Sequence, residues 1–117
     1  MPSWTDHANS KPTLIERLRA LLRADNYISF AELDQLDGFC GDQTLTLDGY
    51  PNLVVWTGIS RQAVDDLATL LERGECRLGL ASPFTYLIDG KALNLPIAKR
   101  LIHYKKPRWL RVVLLRA

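Results

Sequence analysis

The sequence predicts an α+β domain: a mainly antiparallel sheet of about five to six strands with two to three helices on one side. Three observations carry that expectation. Apolar residues recur at helical spacing in two long segments, several short segments alternate or run apolar as strands do, and Gly-containing turns join most of the short segments. A winged-helix-like arrangement is the alternative that the same elements allow.

Residues 1–11 are polar and read as a flexible tail in which Trp4 is the one residue able to dock, leaving 12–117 as a single domain. The first helix runs from about Leu14 to Ala24. Thr13 and Glu16 have capping-box spacing, and Leu14, Leu18, Leu21 and Leu22 form an apolar stripe with Ile15 beside them. A shorter helix follows from Phe30 to Leu36, with Ser29 and Glu32 as a second capping box and Ile28 and Leu33 as its hydrophobic staple. Asp37-Gly38 ends it, because glycine accepts the left-handed conformation there.

The period then changes to that of strands. Gln43–Leu47 alternates, Leu53–Trp56 is an apolar run, and residues 48–52 between them are a turn mixture, so the three predict a hairpin. The third helix is capped by Ser60 and stopped by Gly74; Ala63, Val64, Leu67, Leu70 and Leu71 make its buried stripe, and Asp65, Asp66 and Glu72 its exposed face. Cys76–Ala81 reads as a strand, Ser82-Pro83 as a turn, and Phe84–Ile88 with Ala92–Leu95 as a second hairpin closed by Asp89-Gly90. Pro96 opens a helical turn reaching Leu101, and Trp109–Leu115, apolar on both faces, is an interior strand. More than twenty residues and a hairpin separate the second and third helices, whereas a helix-turn-helix joins its helices by a short turn, so the winged-helix alternative fits less well.

Net charge is only +2, but its distribution is lopsided. Residues 1–90 hold seven Lys/Arg against thirteen Asp/Glu, a net of −6. Residues 91–117 hold eight Lys/Arg and no acid. Such asymmetry marks an interaction surface. Within it, Lys99, Arg100, His103, Tyr104, Lys105, Lys106, Arg108, Trp109 and Arg111 interleave cations with aromatics. Cations release condensed counterions when they neutralise phosphates, and aromatic and guanidinium planes stack on unpaired bases. The expected function is therefore a small intracellular nucleic-acid-binding or regulatory module with DNA or RNA as partner. The alternative is a protein-interaction or self-associating domain whose basic end meets an acidic protein surface or a second copy, with no catalytic role.

Other chemistries find little support. His7, Cys40, Cys76 and His103 lack the spacing of a zinc site, and no cofactor motif occurs. A Cys40 nucleophile with His103 as base is permitted by composition alone, and adjacent carboxylates Asp65 and Asp66 diverge on a helix, so the sequence weighs against an enzyme. Two cysteines make no disulfide framework, the start lacks signal-peptide features, and no apolar run approaches the ~20 residues of a membrane span. Those features lead to the expectation of a cytoplasmic location without membrane contact.

Overall fold

The computed structural model describes residues 11–117; the expected tail and its Trp4 fall almost wholly outside them. Helix α1 (Leu14–Ala24) forms as its local signals dictate. The Thr13 hydroxyl accepts from the Glu16 N–H at 3.3 Å while the Glu16 carboxylate accepts from the Thr13 N–H at 3.1 Å. Leu14, Leu18 and Leu22 are buried, one helical turn apart, on the side of the helix that faces residues 61–72 and 112–116. At the other end Arg116 Nη1 donates to the carbonyls of Leu22 and Arg23 at 3.4 and 3.0 Å, supplying cationic partners to groups that the helix leaves unpaired.

Strand β1 (Tyr27–Ser29) follows, and helix α2 (Phe30–Leu33) is a single turn that stops three residues before the expected Leu36. Ile28, the expected staple residue, lies in β1 and is buried in the same core as Leu33. The Ser29 hydroxyl accepts from the Glu32 N–H as an N-cap should, and donates to Asp89. Strands β2 (Cys40–Leu47) and β3 (Tyr50–Ile59) form the expected hairpin, longer than the pattern suggested and joined by only two residues, Asp48 and Gly49, since Leu47 pairs with Tyr50. Helix α3 (Arg61–Glu72) starts where Ser60 accepts from the Ala63 N–H at 3.0 Å. Its Asp66, expected on the exposed face, is buried and accepts from Gln62 Nε2 at 2.7 Å, one turn away.

Strand β4 (Cys76–Leu80) buries Cys76, and then the expected second hairpin fails. Residues Thr85–Asp89 form a short helix, α4, and Gly90 ends it at φ +75°. Gly90 supplies the left-handed residue that a helix end needs as readily as a hairpin turn does, which is why Asp89-Gly90 misleads. No strand forms over Ala92–Leu95 and no helix over Pro96–Leu101; residues 90–107 run without helix or strand apart from one bridge between Ile97 and Trp109.

The expected last strand is two. β5 (Arg108–Trp109) pairs parallel with β3, and β6 (Val112–Arg116) pairs antiparallel with β1 and β4. The break at Leu110-Arg111 carries the chain from one sheet into another. The six strands thus make two three-stranded sheets, β1-β6-β4 and β2-β3-β5, in an α+β fold, where the sequence suggested one sheet. α3 packs on β2 and on β4, touching both sheets. Between them lies an aromatic core of Phe30, Trp56, Tyr86 and Trp109, with the Tyr86 and Trp109 rings edge to face at 4.9 Å. No helix among the described residues is long and apolar enough to cross a membrane.

Candidate functional site: the cationic C-terminal surface

The eight C-terminal cations meet different fates. Lys91 is an ion-pair partner of Asp34, and Arg116 is spent on the end of α1. Arg108 lies over the Tyr104 ring at 4.7 Å and donates to the Ile97 carbonyl at 3.3 Å, and Arg111 reaches the Pro83 carbonyl at 3.5 Å. Lys99, Arg100, Lys105 and Lys106 are exposed, and their side chains form no hydrogen bond or ion pair among the described residues. By contrast, Arg19, Arg61 and Arg73 from the acidic part of the chain all pair with Asp or Glu. Among the described residues, then, seven of the eight C-terminal cations have no carboxylate partner.

The loop that carries them is held in shape. His103 stacks on Tyr50 with ring centroids 4.7 Å apart, and Asn52 Nδ2 donates to the Tyr104 carbonyl at 2.7 Å. The Tyr104 hydroxyl accepts from the Arg100 N–H at 3.3 Å. These contacts fasten residues 100–104 to the start of β3. Loops this long without regular structure are uncommon in compact domains and tend to carry function.

The aromatics are less free than the sequence suggested. Trp109 is 3% exposed, so its ring belongs to the core and leaves the surface set. Its Nε1 has no acceptor among the described residues, and its nearest ring neighbour is Tyr86. Tyr104 is half buried with one ring face under Arg108, and His103 has one face on Tyr50. Few planes remain for stacking on a base.

Apolar groups that the sequence did not single out complete the surface. Leu80, Leu87 and Leu101 are 69%, 76% and 52% exposed. They lie in three adjoining depressions. One of about 250 Å³ is walled by Leu80, Lys99, Arg100, Leu101 and Arg111. Another of about 470 Å³ shares Arg111 and adds Pro83, Leu87, Lys91 and Ile97. A smaller one of about 130 Å³ shares Leu80 and Leu101 with the first and reaches Leu47 and Leu78. Among the described residues no Asp or Glu lines any of the three. The one local hint was Leu101-Ile102 set between cations in an acid-free segment; exposure of Leu80 and Leu87 depends on tertiary packing.

The Cys40 and His103 pair is not assembled. Cys40 begins β2 at the open end of the hairpin, while His103 sits on Tyr50 beside the turn, a strand length of roughly 20 Å away. The Cys40 thiol donates instead to Asp34 Oδ1 at 3.3 Å, which raises its pKa and keeps it a thiol. Asp34 is also the acceptor for Trp56 Nε1 at 3.4 Å and for Lys91. Burial pushes the Asp34 carboxyl up, but Lys91, Cys40 and Trp56 together hold it below its ordinary value. This cluster ties α2 to β2, β3 and the loop after α4. No protein-family model matches the chain, and the comparisons with curated proteins and with solved structures gave no significant match.

Proposed function

We propose that this chain is a cytoplasmic nucleic-acid-binding module that contacts phosphates through Lys99, Arg100, Lys105 and Lys106, with Arg108 and Arg111 at the edge of the contact. The observation that supports the reading is the set of seven C-terminal cations without carboxylate partners among the described residues, gathered in a segment that holds no acid, whereas Arg19, Arg61 and Arg73 elsewhere in the chain are paired. Uncompensated cations on one ordered loop raise the local concentration of a polyanion and bind it by counterion release. With Trp109 in the core and Tyr104 and His103 partly covered, binding is electrostatic and indifferent to base identity.

The test is fluorescence anisotropy with labelled duplex and single-stranded oligonucleotides of DNA and RNA. Duplex and single strands are expected to bind alike, and Lys105→Ala with Lys106→Ala to weaken all of them. Much tighter binding of single strands would mean base stacking and contradict a phosphate-only contact. A second reading, contact with an acidic protein surface or a second copy, is favoured by the exposed Leu80, Leu87 and Leu101 amid the cations.

A further inference from the structure

We propose that the groove running past Leu80, Leu101, Arg111 and Leu87 is a docking site for an acidic, amphipathic segment of a partner protein, which excludes nucleic acid while it is bound. The three depressions adjoin through shared walls: Leu80 and Leu101 join the smallest to the first, and Arg111 joins the first to the largest. An occupant can therefore lie along the groove rather than fill one hole. The walls between the charged residues are apolar, and exposed leucines along a groove are expensive to leave in water.

Charge complementarity fixes the kind of occupant. Among the described residues every charged wall residue is a cation: Lys99 and Arg100 at the first depression, Arg111 between it and the largest, and at the largest Lys91, whose charge Asp34 already pairs. Arg111 donates only to the Pro83 carbonyl at 3.5 Å, and Lys99 and Arg100 have no side-chain partner among the described residues. A segment with large apolar side chains on one face and carboxylates flanking them meets both demands, as amphipathic helices do in apolar grooves. A second copy meets them badly, because a two-fold self-contact here sets cations against cations. Duplex nucleic acid supplies the charge but no apolar groups for Leu80, Leu87 and Leu101. The docked segment covers Lys99, Arg100 and Arg111, which the phosphate contact also uses, so the two ligands compete. Docking does not depend on the nucleic-acid reading; the competition does.

The experiment selects random displayed peptides of about sixteen residues, enough for some four helical turns, on the immobilised chain. Recovered peptides are expected to place Asp or Glu beside large apolar residues. Synthesised versions should lose about tenfold or more in affinity for Leu101→Ser and for Arg111→Gln, as truncation of a central contact does. Thermal melts of both variants show whether they fold; both side chains are on the surface, so they should. Leu101→Ser leaves the cations in place, so oligonucleotide binding should stay within about twofold, and a bound peptide should displace a labelled oligonucleotide in proportion to its occupancy. Failure to enrich any peptide, enrichment of basic ones, or equal binding to Leu101→Ser overturns the docking site. Self-association in sedimentation that Leu101→Ser abolishes would overturn it too, by giving the groove to a second copy. Peptide docking without any oligonucleotide binding supports the groove and removes the phosphate contact, so the two failures are distinguishable.

Discussion

The Tyr86 hydroxyl donates to the Val112 carbonyl at 2.7 Å and in turn accepts from the Phe30 N–H at 2.9 Å. One phenol thereby satisfies two buried backbone groups, from α2 and β6, and fixes the short helix α4 that carries Leu87 to the core. Tyr86→Phe keeps the ring and orphans both groups. Each orphaned buried polar group costs about 1–3 kcal/mol, so urea unfolding should show at least about 2 kcal/mol of lost stability.

Alkaline pH should destabilise the fold. Burial raises the Tyr86 phenol well above its ordinary 10.0 and pushes the Cys76 thiol from 9.0 up to about 11. Both groups bind their protons more tightly when folded. The stability they contribute is complete below about pH 9 and is lost as pH rises, through Cys76 between its two values and through Tyr86 above 10.0. The Cys76 part amounts to roughly 2–3 kcal/mol. Melting temperatures from pH 7 upward should fall, and Cys76→Ala should fall less steeply than the unaltered chain.

The two thiols should report their surroundings. Cys76 is buried and Cys40 exposed, so a thiol reagent added to folded protein should titrate one group and, after unfolding, two. Asp34 keeps Cys40 protonated, so Asp34→Ala should speed its modification at fixed pH, measured with an aromatic disulfide reagent. An unchanged rate would show that Asp34 does not govern the thiol.

Gly41 sits where β2 leaves the core, and a Cβ there would lie 2.4 Å from the Ser60 Cα. Backbone rather than a flexible side chain blocks it. Gly41→Ala should therefore cost about 1–3 kcal/mol or more, through displacement of the α3 N-cap. Gly49 has open space but φ +80°, so Gly49→Ala should cost only the left-handed penalty of about 1–2 kcal/mol. Denaturant midpoints of the two variants check the order.

What was legible in the sequence follows the range of the forces involved. Thr13, Glu16 and Ser60 act on backbone groups within a turn of themselves, so α1 and α3 could be read from their neighbours alone. The β2–β3 hairpin was legible for a similar reason, since its strands adjoin. The segment after Ser82 was not. Thr85–Asp89 is helical because Tyr86 reaches Phe30 and Val112, which lie 56 and 26 residues away. The run from Trp109 to Leu115 looks like one strand because both faces are apolar; it is two because Trp109 pairs with β3 in one sheet and Val112–Arg116 with β1 and β4 in the other.

The candidate site divides the same way. Its cations were visible as composition, but Trp109 alternates with nothing that marks it as core, and the partners that cover Tyr104 and His103 are Arg108 of β5 and Tyr50 of β3. The leucines of the groove look like any strand or helix leucine until the packing leaves them outside.

The most direct measurement of the central claim is the affinity for a short labelled duplex across a range of salt concentrations, for the unaltered chain and for the Lys105→Ala, Lys106→Ala double variant. Each phosphate neutralised contributes a slope of about −0.9 in log K against log salt, so Lys99, Arg100, Lys105 and Lys106 should give about −3 to −4, and the double variant a slope shallower by roughly 2. Absence of binding at the lowest salt, or a slope that the double substitution leaves unchanged, would contradict a phosphate contact at these lysines.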